Sequence, residues 1–260
     1  VARARYFSYM AHPLVLVLVA SLSLPAAANP LSPRDALLVS TAWVAKRLKD
    51  PNLVVLHVGD RADYASGHIE GARHVSLGDI SVSDRTGSGS GLTLEMPDAA
   101  TLREKFMALG ISDDSRVVVY AGNAPFQSAT RVVFTLDYAG LGERTSLLDG
   151  GLAAWAREGR ALKSAVPEVR PGRLRPLTLR PLVVAKEDVK ASGGSGSRAV
   201  VDARHLDFYE GTESGGSMFS RHRAGHIPGA LSLPFTEVTD ARLMLRSQEE
   251  LASLFAAKGV

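Results

Sequence analysis

The feature that most constrains this chain is a six-residue loop that occurs twice. Gly67-His-Ile-Glu-Gly-Ala72 and Gly225-His-Ile-Pro-Gly-Ala230 differ at one position. The first follows Leu53-Val-Val-Leu-His-Val and a polar turn ending at Tyr64; the second follows Ala199-Val-Val-Asp-Ala-Arg204 and a polar turn ending at Tyr209. Short apolar runs of this kind read as buried parallel strands. Each loop then returns to an apolar piece, Arg73–Leu77 or Leu231–Phe235. A long motif repeated in the same context implies an internal duplication.

The duplication extends further. Leu102–Ile111 has an amphipathic helical pattern ending at Gly110, a helix stop, and Leu251–Val260 matches it with Leu, Phe, Ala and Gly in register. In the first copy the chain continues into an apolar strand, Arg116–Tyr120, a loop over 121–128, a helix over 129–139, a strand over 145–148 and the block Asp149-Gly-Gly-Leu-Ala-Ala-Trp155. Strands alternating with helices predict an α/β fold: two tandem domains, each with a mostly parallel sheet and helices on both faces. The strand over 116–120 is the most uniformly apolar and is expected at the centre of its sheet. The boundaries expected are 37–159 for the first domain, 160–182 for a Pro-containing extended linker, and 183–260 for the second. Nothing in the second copy matches 112–155. The second domain is therefore expected to be incomplete, the chain being a C-terminal truncation; the alternative is a natural half-domain. The Gly/Ser patches at 87–91 and 193–196 read as surface loops.

Composition sets limits on chemistry. There is no cysteine, which excludes a disulfide framework, thiolate metal sites and a thiol nucleophile within these residues. Hydrophobic content of 45% with 22% charged residues suits a globular protein. The net charge of +3 gives little support for a nucleic-acid partner. Residues 1–28 have the parts of a secretory signal peptide: Arg3 and Arg5, an apolar run from Leu14 to Leu24, and the small-residue site Ala26-Ala27-Ala28. That run is short of the about 20 residues a membrane span needs. Export is expected, with a bacterial periplasm the simplest destination and no stable membrane span after cleavage; an uncleaved anchor is the alternative. No G-x-S-x-G, P-loop or H-E-x-x-H motif is present, and the histidines show no metal-ligand spacing, so neither a metal nor another cofactor is expected.

The paired G-H-I-x-G-A loops, Asp202-Ala-Arg204 and Leu148–Trp155 resemble the tandem rhodanese-domain sulfurtransferases, the thiosulfate and 3-mercaptopyruvate sulfurtransferases. The resemblance covers about Leu38 to Val260. It implies an inactive first domain and a second domain in which a cysteine follows the central strand. That thiolate would take sulfur from a small anion such as thiosulfate and pass it, as a persulfide, to a thiol or cyanide acceptor. The resemblance places Ala121 at the cysteine position of the first copy and Gly59 at its arginine position. In the second copy it makes Arg204 the substrate-anion residue and puts the cysteine beyond Val260, so that these 260 residues are themselves expected to be inactive. Phe208 stands where the family often has a second arginine, which favours thiosulfate over a carboxylate-bearing substrate. Arg221 and Arg223 are candidates for steering anions, against the plainer reading of a solvated basic loop. His68 and His226 are expected to fix their loops by hydrogen bonds. Trp43 and Trp155 are expected in the core. A non-enzymatic anion- or partner-binding module on inactive rhodanese domains is the alternative to an enzyme.

Overall fold

A computed structural model describes residues 33–83, 93–192, 198–217, 220–221 and 223–260. The leader at 1–28 and the glycine-serine patches lie outside the described residues. The amino-terminal part runs α1 (Pro33–Leu37), β1 (Leu38–Val39), α2 (Thr41–Ala45), β2 (Leu53–Val58), α3 (Arg61–Ser66), β3 (Arg73–Val75), α4 (Ala99–Ala108), β4 (Arg116–Ala121), α5 (Phe126–Tyr138), β5 (Thr145–Leu148) and α6 (Gly151–Arg157). The carboxy-terminal part runs α7 (Lys186–Ser192), β6 (Val201–Asp202), α8 (Leu206–Glu210), β7 (Gly216–Ser217), β8 (Ser220–Arg221), β9 (Leu231–Ser232) and α9 (Gln248–Ala257).

The five strands β1 to β5 form one sheet in the order β1-β5-β4-β2-β3, every pair parallel. β4 is central, as its unbroken apolar sequence predicts. β2 and β4 are buried on both faces, so their side chains divide by alternation. Val54, Leu56, Val58, Val117 and Val119 face one side, where they meet Leu102 and Phe106 of α4 and Val132 and Leu136 of α5. Val55, Val118 and Tyr120 face the other, against Val44, Ile69, Leu152 and Trp155. Helices thus cover both faces. Phe106 is fully buried, and truncating such a side chain to Ala costs about 3–5 kcal/mol. Trp155 is buried as well. Trp43 is only partly covered, with the guanidinium of Arg47 4.1 Å above its ring.

From β2 the chain turns outward to β3, whereas from β4 it proceeds to β5 on the other side. The crevice beyond the carboxyl ends of β2 and β4 is therefore the topological switch point, where open α/β sheets place their sites.

Residues 160–182 form no helix and lie extended along the amino-terminal part. Lys163 exchanges two backbone hydrogen bonds with His68, Gly172 N–H donates to Met107, Arg180 N–H donates to Tyr138, and Leu174 is buried against the α4–α5 face.

In the carboxy-terminal part β6 and β9 pair in parallel, and β7 and β8 antiparallel. Of its described residues only Ala230, Leu233, Pro234 and Thr239 are buried. Two hydrogen bonds clasp it to the amino-terminal part: Arg34 donates to the Leu245 carbonyl at 2.9 Å, and Leu245 N–H donates to Asp149 at 3.0 Å. Among the described residues no helix is long and apolar enough to cross a membrane.

Candidate functional site

Two stations at strand ends hold the residues singled out by sequence. The first is the switch point. β4 ends at Ala121, and Gly122 N–H donates to the Val58 carbonyl at 3.0 Å, tying the two strand ends together. The sharp turn Gly150-Gly151, both with positive φ, passes so close that a Cβ on Gly151 would stand 2.9 Å from the Ala121 carbonyl oxygen. Pro125 begins α5 and supplies no side-chain cap.

The interior of this station is filled. His57 and Tyr120 are paired across β2 and β4, and the Tyr120 hydroxyl lies 3.0 Å from Nδ1 of His57. That hydroxyl accepts from Ile69 N–H at 3.1 Å, so its own proton points to Nδ1. His57 then carries its proton on Nε2 and donates to Oδ2 of Asp63 at 3.1 Å. The same oxygen accepts from Asn123 N–H at 2.7 Å, and the Asn123 side-chain amide donates to Oδ1. Desolvation holds the His57 pKa below its ordinary value despite the opposing pull of Asp63. The Tyr120 pKa is raised by burial. A Cβ on Gly122 would lie 2.1 Å from Oδ2 of Asp63 and 2.4 Å from Nε2 of His57. The turn therefore has no room for an external anion: an internal carboxylate already takes the N–H of Asn123. Gly59, in the same cluster, contributes no cation. Neither Asp63 nor Asn123 stood out in the sequence; the polar His57 within an apolar strand was the one available signal.

The second station is the end of β6. Arg204 folds back on Asp202: Nε donates to both carboxylate oxygens, at 2.9 and 3.2 Å, and a terminal nitrogen donates to Oδ2 at 2.5 Å and to the Gly225 carbonyl at 2.8 Å. The Arg204 side chain remains 46% exposed while that of Asp202 is 11% exposed. The guanidinium holds the Asp202 carboxyl below the usual carboxylate range. Arg204 thus stays accessible with its orientation fixed. It borders two cavities. One, of about 750 Å³, includes Arg223 and the Gly225–Ala230 loop. The other, of about 820 Å³, lies between Gln127 and Thr130 of α5 and Phe208 and Phe235 of the carboxy-terminal part. Arg223 is exposed. Arg221 lies in β8, and its side chain falls outside the described residues.

The two G-H-I-x-G-A loops are built alike. Tyr64 Oη donates to the Ala72 carbonyl at 2.7 Å and Tyr209 Oη to that of Ala230 at 2.8 Å. His68 Nδ1 meets the Tyr64 carbonyl at 2.8 Å and His226 Nδ1 that of Tyr209 at 2.7 Å. The rings stack at 3.9 Å for Tyr64–His68 and 3.7 Å for Tyr209–His226. These histidines hold their loops closed.

A parallel, doubly covered sheet with loop sites at its strand ends defines an α/β protein of the open-sheet class. Residues 40–158 match the rhodanese-like domain family. The sulfur carrier protein TtuD of Thermus thermophilus is 32% identical over 237 residues, covering 86% of this chain and 78% of TtuD. The thiosulfate sulfurtransferase of Pseudomonas aeruginosa is 32% identical, with the same coverages. The crystal structure of SseA, a 3-mercaptopyruvate sulfurtransferase from Escherichia coli, superposes with a TM-score of 0.69 at 26% identity, covering 86% of this chain and 83% of that one. The chain belongs to the rhodanese-domain sulfurtransferase family.

Proposed function

We propose that this protein serves in the transfer of sulfane sulfur from thiosulfate to a thiophilic acceptor, with Arg204 holding the donor anion and the sulfur-accepting thiol supplied from outside these 260 residues. The observation that carries the reading is the contrast between the two stations. The first is closed by its own Asp63, while Arg204 at the second, though oriented by Asp202 and the Gly225 carbonyl through Nε and one terminal nitrogen, is 46% exposed and keeps its other terminal nitrogen uncommitted among the described residues, which supports a role in holding an oxyanion. We infer accordingly that the first domain is inactive and that residues 183–260 belong to a second rhodanese-like domain. What supports that inference is the strand register. Arg73 and Leu231, each directly after its loop, pair with Leu56 and Val201, and the tyrosine–histidine stacks are the same.

The chemistry follows from the donor. A cysteine thiolate attacks the outer sulfur of thiosulfate, the S–S bond breaks, and sulfite leaves with the bonding pair. Cyanide or a thiolate then attacks the outer sulfur of the persulfide and releases the thiolate. With no cysteine, the 260 residues alone cannot take the first step. Phe208 and Phe235 in the wall of the larger cavity favour thiosulfate over a donor that needs a second cation for a carboxylate.

The test is transfer from thiosulfate to cyanide. The isolated chain is expected to give no thiocyanate above the uncatalysed rate but to bind thiosulfate; turnover by the isolated chain would overturn the external-thiol reading. Thiosulfate binding that is insensitive to Arg204→Ala would overturn the assignment of the anion site. If no thiol-bearing segment or partner restores turnover, the chain is a binding module. The proposed leader and periplasmic location are tested by amino-terminal sequencing of the exported protein, which should begin at Asn29.

A further inference from the structure

A third cavity, of about 450 Å³, lies on the amino-terminal part against the edge strand β3, where Tyr64 and His74 stand between it and His57 of the first station. Three elements and the extended segment wall it. α3 presents Arg61, Tyr64 and Ala65, and α4 presents Lys105, Ala108 and Leu109. Each set has the i, i+3, i+4 spacing that places side chains on one helix face. β3 contributes Arg73 and His74, and the extended segment closes the side with Val166, Pro167 and Val169.

The charges here do not balance. Arg61, Arg73 and Lys105 face a single carboxylate, Asp79, and that carboxylate is already engaged by the backbone N–H and the hydroxyl of Ser76, both at 2.8 Å. Arg73 is fixed by a hydrogen bond from its guanidinium to the Leu109 carbonyl at the end of α4. His74 gives its Nε2 proton to the Gly59 carbonyl at 2.9 Å. Among the described residues neither Arg61 nor Lys105 makes an ion pair or a side-chain hydrogen bond. Arg61 is exposed and Lys105 half-buried, with Asp79 the carboxylate that feels Lys105; three cations around one already engaged carboxylate leave the cavity with an excess of positive charge that attracts an anion. The remaining wall is apolar, and Val166 at its lip is 74% exposed, which leaves apolar surface for a ligand to cover.

We propose that this cavity is a binding site for a small organic carboxylate with a compact apolar body, its carboxylate held by Arg61 and Lys105 and its body laid against Leu109, Val166 and Pro167. The proposal does not depend on the sulfur-transfer reading.

The test is isothermal titration of the 260-residue protein with octanoate, beside acetate, which lacks the apolar body, and 1-hexanol, which lacks the charge. Octanoate is expected to bind with one-to-one stoichiometry and at least about tenfold more tightly than either control. The double variant Arg61→Ala/Lys105→Ala should lose at least about tenfold in octanoate affinity. Ala108→Trp, which fills the cavity from an exposed helix position, should abolish binding while both cations remain. Thermal melts of both variants establish that they fold. No octanoate binding by the native protein, or undiminished binding by either folded variant, would overturn the proposal.

Discussion

The imidazole of His57 donates from Nε2 to Oδ2 of Asp63 at 3.1 Å, and the pair occupies the space a side chain on Gly122 would need. The backbone N–H of Asp63, in the first turn of α3, donates to the capping carboxylate of Asp60 at 2.7 Å. A helix start, a central strand and the β4–α5 turn are thereby joined through one carboxylate.

Gly122→Ala should destabilise the protein by about 1–3 kcal/mol, the usual cost of forcing atoms into filled space. A thermal melt is expected to show a fall of several degrees. An unchanged melting temperature would mean that the turn has room after all.

The same pair makes stability depend on pH. Burial lowers the His57 pKa in the folded state from 6.5. Below pH 6.5 the unfolded chain therefore takes up a proton that the folded chain refuses. The contribution of neutral His57 is complete above 6.5 and is lost as pH falls from 6.5 toward the lowered folded value. Urea midpoints at pH 7.5 and 5.5 should show a larger acid loss for the native protein than for His57→Gln. Equal losses would show that His57 is not the titrating group.

Ala121→Cys should not confer sulfur transfer on the first station. Its new side chain would join the apolar α4–α5 face of the sheet, with the turn N–H already committed to Asp63 and no cation at Gly59. Incubation with thiosulfate and cyanolysis of the product is expected to release no bound sulfur. Stoichiometric release would show that the turn alone suffices.

Arg204→Ala should weaken thiosulfate binding about three- to tenfold, a modest loss because the guanidinium is partly exposed and screened. Arg204→Lys should recover only part of it, since an ammonium cannot hold Asp202 at two points and still present a donor in the same orientation. Titration with thiosulfate at low salt reads both effects.

Asp149→Ala removes the acceptor for Leu245 N–H and leaves Arg34 its carbonyl contact alone. Amide hydrogen exchange should accelerate over residues 240–247 while β2 and β4 keep their protection. Unchanged exchange at 245 would mean that the clasp does not hold that loop.

Much of the architecture could be read from apolar runs. β4 is apolar throughout, and β5 falls on the expected residues 145–148. Helix starts were harder to place from periodicity. α4 begins at Ala99 rather than 102, because Asp98 caps it through Thr101 N–H at 2.9 Å. α5 begins at Phe126 rather than 129, directly after Pro125. Arg204 was legible through its place after a strand. The network closing the first station was not, because it depends on the β2–β4 register that sets His57 opposite Tyr120. Residues 57, 63, 120 and 123 share no local pattern; only the parallel pairing brings them together.

The extended segment at 160–182 has a mechanical consequence. Its backbone stays bound to the amino-terminal part as far as Arg180, whose N–H donates to Tyr138 at the end of α5. A pull applied beyond residue 182 would therefore have to peel these hydrogen bonds away one after another before any load reached the sheet.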